Sequence, residues 1–136
     1  MAETLKLEIV TPDGLAYSED VEMVTLPGVE GQMGIYPRHV PLMTQMVPGE
    51  ISVRKGSAEY FLAIGEGLIE VAADHVSILT DMAIAADRID EAKAEEARQR
   101  AEARLREKIS DEEVASVNAS LARSLAQLRV KRRRQA

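Results

Sequence analysis

The first residues in this chain that could do chemistry are three evenly spaced glycines, Gly28, Gly31 and Gly34, in the stretch LPGVEGQMGIYPRHVPLMTQMVPG from Leu26 to Gly49. Glycine lets backbone N–H groups approach an anion closely, so the chemistry to test is a phosphate cradle. The spacing rejects it. A P-loop requires G-x-x-x-x-G-K-[ST] running into a helix, and a dinucleotide fingerprint requires G-x-G-x-x-G between strand and helix. Here the pattern is G-x-x-G-x-x-G without a lysine, and Pro37 and Pro41 stand where a helix would have to start and run. The stretch therefore reads as a set of turns. His39 lies between those two prolines with no second His or Cys nearby to form a catalytic pair, and reads as an exposed or backbone-bonded turn residue. Cysteine is absent and His75 is the only other histidine, which excludes a disulfide framework and a Cys/His zinc site.

The turns must join strands. TLKLEIV (Thr4 to Val10) alternates, with Leu5, Leu7 and Ile9 on one face and Thr4, Lys6 and Glu8 on the other, the period of a half-buried strand. Further β-like runs are Val21 to Leu26, Met33 to Tyr36, Leu42 to Met46, Glu50 to Arg54, Ser57 to Ile64, Gly67 to Ala73 and Val76 to Asp81. Short strands at hairpin spacing predict a sandwich or barrel. Its expected core is Leu7, Ile9, Met23, Val24, Ile35, Leu42, Ile51, Val53, Phe61, Leu62, Ile64, Leu68, Val71, Ile78 and Leu79. In such a fold Leu26 to Gly49 supplies the corners, where Gly takes positive φ and Pro blocks unwanted pairing.

Charge divides the chain. Residues 1–86 carry 13 acids and 4 bases, a net −9, whereas residues 87–136 carry 10 acids and 13 bases, a net +3. All four aromatics lie in the first part, and neither Gly nor Pro follows Gly67. The expected domains are therefore a sandwich at 1–86 and a helical unit at 87–136. In the second unit Ala94, Ala97, Ala101, Leu105 and Ile109 form one helical stripe, and Val114, Val117, Leu121, Leu125 and Leu128 form another. Between them Ser110 and Glu113 make a capping box. The short gap predicts an antiparallel hairpin, and its alanine-rich seam predicts that it must dock on the sheet or on a partner. The tail RVKRRRQA holds five bases between Arg129 and Arg134, read as solvated or docked on an acidic surface. Nucleic acid is not expected, since the tail has no aromatics and an acidic domain adjoins it. No apolar run reaches the roughly 18 residues of a membrane span, so the chain reads as soluble and untargeted, without direct membrane insertion.

The order of a strand-rich unit, then PGVEGQMGIYPRHVPL, VPGEISV, GEGLIEV and DEAKAEEARQRAEARL ending in SLAQLRV, resembles the epsilon subunit of bacterial F-type ATP synthases from end to end. Gly28, Gly31, Gly34, Ile35, Pro37, His39, Pro41, Leu42, Pro48 and Gly49 follow that family's pattern. Two departures stand out. The family's Gly-Gly before a hairpin strand is Glu66-Gly67 here, and its nucleotide motif [IL]-D-x-x-R-A is Ile89, Asp90, Glu91, Ala92, Lys93, Ala94. The resemblance implies an α+β fold, an N-terminal antiparallel β-sandwich followed by a C-terminal antiparallel two-helix hairpin. It implies a noncatalytic central-stalk subunit of the proton-translocating synthase, peripheral on the cytoplasmic face of the bacterial inner membrane. It places Gly31, Gln32, Met33 and Gly34 in a loop against the c-ring and His39 near the gamma subunit. The hairpin would fold against the sandwich or extend toward the catalytic alpha and beta subunits and oppose ATP hydrolysis. Asp90, Lys93, Arg100 and Arg123 match the family's ATP-binding positions, but Lys93 replaces an arginine and so does Gln127, so any ATP binding is expected to be weak and no resident cofactor is expected. The alternative, read from the residues alone, is a free-standing sandwich that binds a small ligand.

Overall fold

The computed structural model describes residues 3–134; Met1, Ala2 and the last two residues of the tail, Gln135 and Ala136, lie outside the described residues. Ten strands come first: β1 (Leu5–Thr11), β2 (Gly14–Val21), β3 (Met23–Gly28), β4 (Gly31–Ile35), β5 (Leu42–Met46), β6 (Gly49–Lys55), β7 (Ala58–Ile64), β8 (Gly67–Val71), β9 (His75–Thr80) and β10 (Ala83–Ala85). A 3-10 turn at Ala86–Arg88 leads into α1 (Glu91–Leu105) and α2 (Asp111–Arg134). The strands form one folded-over sheet in the order β10-β7-β6-β3-β5-β8-β9-β1-β2, with β4 on β3. The pairings are antiparallel, as expected of the sandwich, apart from that of β1 with β9, which is parallel. The sheet changes layers where β3 meets β5 through the single pair Gly28 and Met46.

Strand parity decides the core. Leu5, Leu7 and Ile9 alternate inward along β1, meeting Val24, Ile35, Ile51, Val53, Ile64, Ile69 and Ile78 in one apolar cluster. Each fully buried aliphatic side chain of this kind contributes about 1.5–3 kcal/mol. Two expected core residues are outside it: Leu68 is 47% exposed and Leu79 is 54% exposed. The reason is the two-residue repeat. Adjacent apolar residues point to opposite faces, so with Ile69 and Val71 turned inward Leu68 must face out, and Ile78 does the same to Leu79. Met23, Leu42 and Phe61 are likewise only partly buried, while Leu5, Val21, Leu26, Met46, Ile69 and Val76 belong to the core that the expected set omitted. Two strands were also not expected. β2 is an edge strand with little buried besides Val21, and β10 has three residues, so neither carries a clear alternation.

Gly67 explains one departure from the family pattern. A Cβ there would stand 1.9 Å from the Leu79 carbonyl oxygen, a backbone atom that cannot yield, so β8 enters its pairing with β9 only with glycine at 67. Position 66 is exposed and tolerates glutamate.

In the hairpin, α1 is capped by Asp90, whose carboxylate accepts the Lys93 N–H at 3.1 Å. α2 is capped by Ser110, whose hydroxyl accepts the Glu113 N–H at 3.2 Å, the serine half of the capping box read from the sequence. Helix α1 stops at Leu105, so Ile109 lies in the connection rather than on the α1 stripe. The C-terminal half of α2 packs on β6, β7 and the 3-10 turn, and α1 packs on α2. Its seam is a second, smaller cluster of Ala63, Met82, Ile89, Ala126 and Val130. Leu125, expected on the apolar face, is partly exposed, because Ser124, Ala126, Leu128 and Val130 turn inward instead.

Candidate functional site: two faces of the sandwich

The residues expected at the c-ring are strand, not loop. Gly31, Gln32, Met33 and Gly34 pair with Gly28, Pro27, Leu26 and Thr25, and the exposed tip of this β3–β4 hairpin is Val29 and Glu30. Gly31 takes a φ of 135°, which the tight return requires. Met33 is partly buried on the core, whereas Gln32 is exposed. His39 lies beyond the other end of β4, half buried in the corner before β5. Its Nδ1 stands 2.7 Å from the Val40 carbonyl oxygen, to which the Nδ1–H tautomer donates. The same corner is fixed by the Arg38 N–H donating to the Ala73 carbonyl at 2.7 Å. The two expected contact regions thus occupy opposite ends of β4 and are not brought together.

A third feature is an apolar diagonal. Leu15 pairs with Val10, Val10 with Leu79, and Leu79 with Leu68, all exposed on the outward face of β2-β1-β9-β8. Met43, 67% exposed, stands on the neighbouring β5 two residues from the Gln45 that pairs with Leu68, and exposed Val40 adjoins His39. Large aliphatics in a continuous row on a sheet face are unusual for a surface with nothing to bind. Sequence reading missed this face because Leu68 and Leu79 were assigned to the core; strict parity along β8 and β9 is the signal that finds it.

The opposite layer carries the hairpin and the candidate nucleotide residues. Asp90 is occupied as the cap of α1, and Lys93 and Arg100 are exposed on that helix. Arg123 points toward the sheet, where its Nη1 donates to Asp81 at 2.9 Å. Gln127 contacts the Met82 sulfur at 3.1 Å. In the docked hairpin Asp90, Arg123 and Gln127 are thus each engaged within the chain, while Lys93 and Arg100 face solvent. The tail is docked on acids: Arg134 pairs with Glu50, Arg133 reaches it at 3.6 Å, and Arg132 bridges Glu91 at 2.9 Å and Glu95 at 3.2 Å. Hydrogen bonds from Arg98, with weaker help from Arg132, hold the Glu95 carboxyl at about 2.

An open cleft of about 800 Å³ between β2 and β7 is lined by Tyr17, Tyr60 and Phe61, with Lys55 paired to Glu19. Burial, followed by the neighbouring Glu19, pushes the Tyr17 phenol up to about 12 and keeps it neutral. Among the described residues no group of three or more His, Asp or Glu is placed to hold a metal ion.

Residues 4–86 match the beta-sandwich domain of the ATP synthase Delta/Epsilon chain, and residues 87–132 match its long alpha-helix domain. The chain belongs to that family. An ATP synthase epsilon chain of Syntrophotalea carbinolica is 46% identical over 131 residues, covering 96% of this chain and 95% of its own. One from Dehalococcoides mccartyi is 43% identical, covering 96% and 94%. Among solved structures, a chain of the Euglena gracilis mitochondrial ATP synthase shares the fold at a TM-score of 0.70 and 24% identity, over 88% of this chain and 76% of that one. Family membership makes the protein a noncatalytic chain of an ATP synthase, as the resemblance implied, and leaves the free-standing ligand-binding alternative without support. Among the described residues no helix is long and apolar enough to cross a membrane.

Proposed function

We propose that the sandwich couples the gamma subunit to the c-ring, on the cytoplasmic face of a bacterial inner membrane. The observation that carries this reading is the exposed apolar diagonal from Leu15 through Val10, Leu79 and Leu68 to Met43. It has the composition of an interface centre, and the docked hairpin covers the other layer and leaves it open. Gamma takes this face and the His39 corner. The c-ring takes the β3–β4 tip, with Val29 and Glu30 added to Gly31, Gln32, Met33 and Gly34. In this reading the hairpin restrains ATP hydrolysis when it leaves the sandwich for the catalytic alpha and beta subunits.

The test is charge placed on the diagonal. Leu79→Glu in the full chain should weaken binding to purified gamma by more than about thirtyfold, since central interface residues carry about 2 kcal/mol or more, while thermal unfolding of the isolated chain barely moves. Equal binding to gamma would reject the assignment of this face.

Nucleotide is at most a weak ligand in this proposal. Lys93 lacks the planar fork of arginine, Gln127 lacks charge, and Arg123 is held by Asp81, so ATP affinity should be no tighter than about millimolar. Calorimetric titration decides it: a micromolar dissociation constant that Asp90→Ala abolishes would overturn the expectation.

A further inference from the structure

Asp81 follows β9 where the chain turns toward β10, and its two carboxylate oxygens meet different surroundings. Oδ2 accepts from Arg123 Nη1 at 2.9 Å, with both side chains about two-thirds buried. Oδ1 is buried without a hydrogen-bond partner and faces Gly65. A Cβ at 65 would stand 1.8 Å from Oδ1 and 2.9 Å from Cγ, so any larger residue must push the carboxylate away from its place. Neither backbone can easily retreat. The Gly65 N–H donates to the Met82 carbonyl at 3.0 Å, and the Asp81 N–H donates to the Glu66 carbonyl at 3.3 Å.

A second charged contact lies further along α2. Arg134 grips Glu50 through Nε at 3.0 Å and through Nη2, and its guanidinium stacks 3.5 Å over the Phe61 ring. Arg123 and Arg134 are eleven residues apart, about 16 Å along the helix, with Ala126 and Val130 of the apolar seam between them. Those apolar members share no residue with the sandwich cluster around Leu7, Ile9 and Ile78. Separating the hairpin therefore exposes a small apolar area and returns the charged groups to water, with the sandwich core intact.

We propose that Asp81–Arg123 and Glu50–Arg134 form a two-point electrostatic clasp that decides whether the hairpin stays on the sandwich. Gly65 is its positioning residue: it leaves the room that keeps the Asp81 carboxylate aimed at Arg123. The clasp works within the isolated chain and needs no partner. The docked fraction therefore falls as salt screens the pairs.

Because the chain has no cysteine, a fluorescent pair can be placed at Ser57→Cys in the β6–β7 turn and Arg129→Cys on the exposed side of α2. Energy transfer in the full chain then reports docking, and methyl resonances of Leu7, Ile9 and Ile78 report the sandwich. Asp81→Asn or Glu50→Gln should lower the docked-to-free ratio about tenfold, as loss of a partner in a partly buried charge pair does, with the methyl signals unmoved. Gly65→Ala should act in the same direction and add little to Arg123→Gln, because both open the same pair. If Asp81→Asn and Glu50→Gln leave the ratio within about twofold, the clasp is wrong. If Gly65→Ala leaves it unchanged, or adds in full to Arg123→Gln, Gly65 does not position Asp81. Should Gly65→Ala fail to fold, the Asp81→Asn and Arg123→Gln cycle still tests the first point, and full additivity there overturns it.

Discussion

The sandwich interior is built from Leu5, Leu7, Ile9, Ile51, Ile64, Ile69 and Ile78, all fully or almost fully buried, whereas the seam beneath α2 offers Ala63, Met82, Ile89, Ala126 and Val130. The difference lies in side-chain volume. Branched aliphatics fill the first region and remove much apolar surface from water, whereas the second has only five buried members, two of them alanines, and removes far less. Charge compensates in the second region, through Asp81–Arg123, Glu50–Arg134 and Arg132 with Glu91 and Glu95. One region is therefore insensitive to ionic conditions and the other depends on them. The proposed division of labour, a coupling face on the sandwich and a hairpin that can leave it, rests on that contrast.

The contrast predicts a graded series of effects. Ile78→Ala should destabilise the sandwich by about 2–5 kcal/mol in urea unfolding and take the hairpin with it, since α2 has then lost its platform. Val130→Ala, the equivalent cut in the seam, should cost about 1–2 kcal/mol and be seen as hairpin release, with the sandwich midpoint nearly unchanged. A Val130→Ala effect as large and as global as that of Ile78→Ala would erase the distinction. Removing residues 87–136 should change sandwich stability by less than about 1 kcal/mol, and aggregation of the remaining 1–86 would show that the helices cover an essential apolar face.

Acid gives the smallest effect. Glu95 is held at about 2 in the folded chain against 4.5 ordinarily, so its pairing stabilises the hairpin above about 4.5 and that contribution is lost as pH falls toward 2. Helical circular dichroism should therefore decline across that window before the sheet resonances disperse. Simultaneous loss of both would contradict it.

Much of this was legible in the residues. The alternation of β1, the extent of β5 and the Ser110 cap followed from local period and chemistry, which neighbours in sequence decide. The edge strand β2 was not legible, because an exposed strand has no buried face to mark its period. The outward diagonal was hidden by a local ambiguity: Leu68-Ile69 and Ile78-Leu79 are equally apolar, and in strands this short the parity that separates them rests on single polar neighbours, Glu70 on the face of Leu68 and Ser77 on that of Leu79. Arg123 was read from the family motif as a nucleotide contact, while its ion pair with Asp81, 42 residues away, could only come from the tertiary arrangement.

Amide hydrogen exchange of the full chain at low and high ionic strength tests the division most directly. Raising salt from about 0.05 M to about 1 M should speed exchange in Glu91–Leu105 and Asp111–Arg134 while the amides of β1, β8 and β9 keep their rates. Exchange that changes together in helices and strands, or in neither, would contradict an ionically fastened hairpin on an independently stable sandwich.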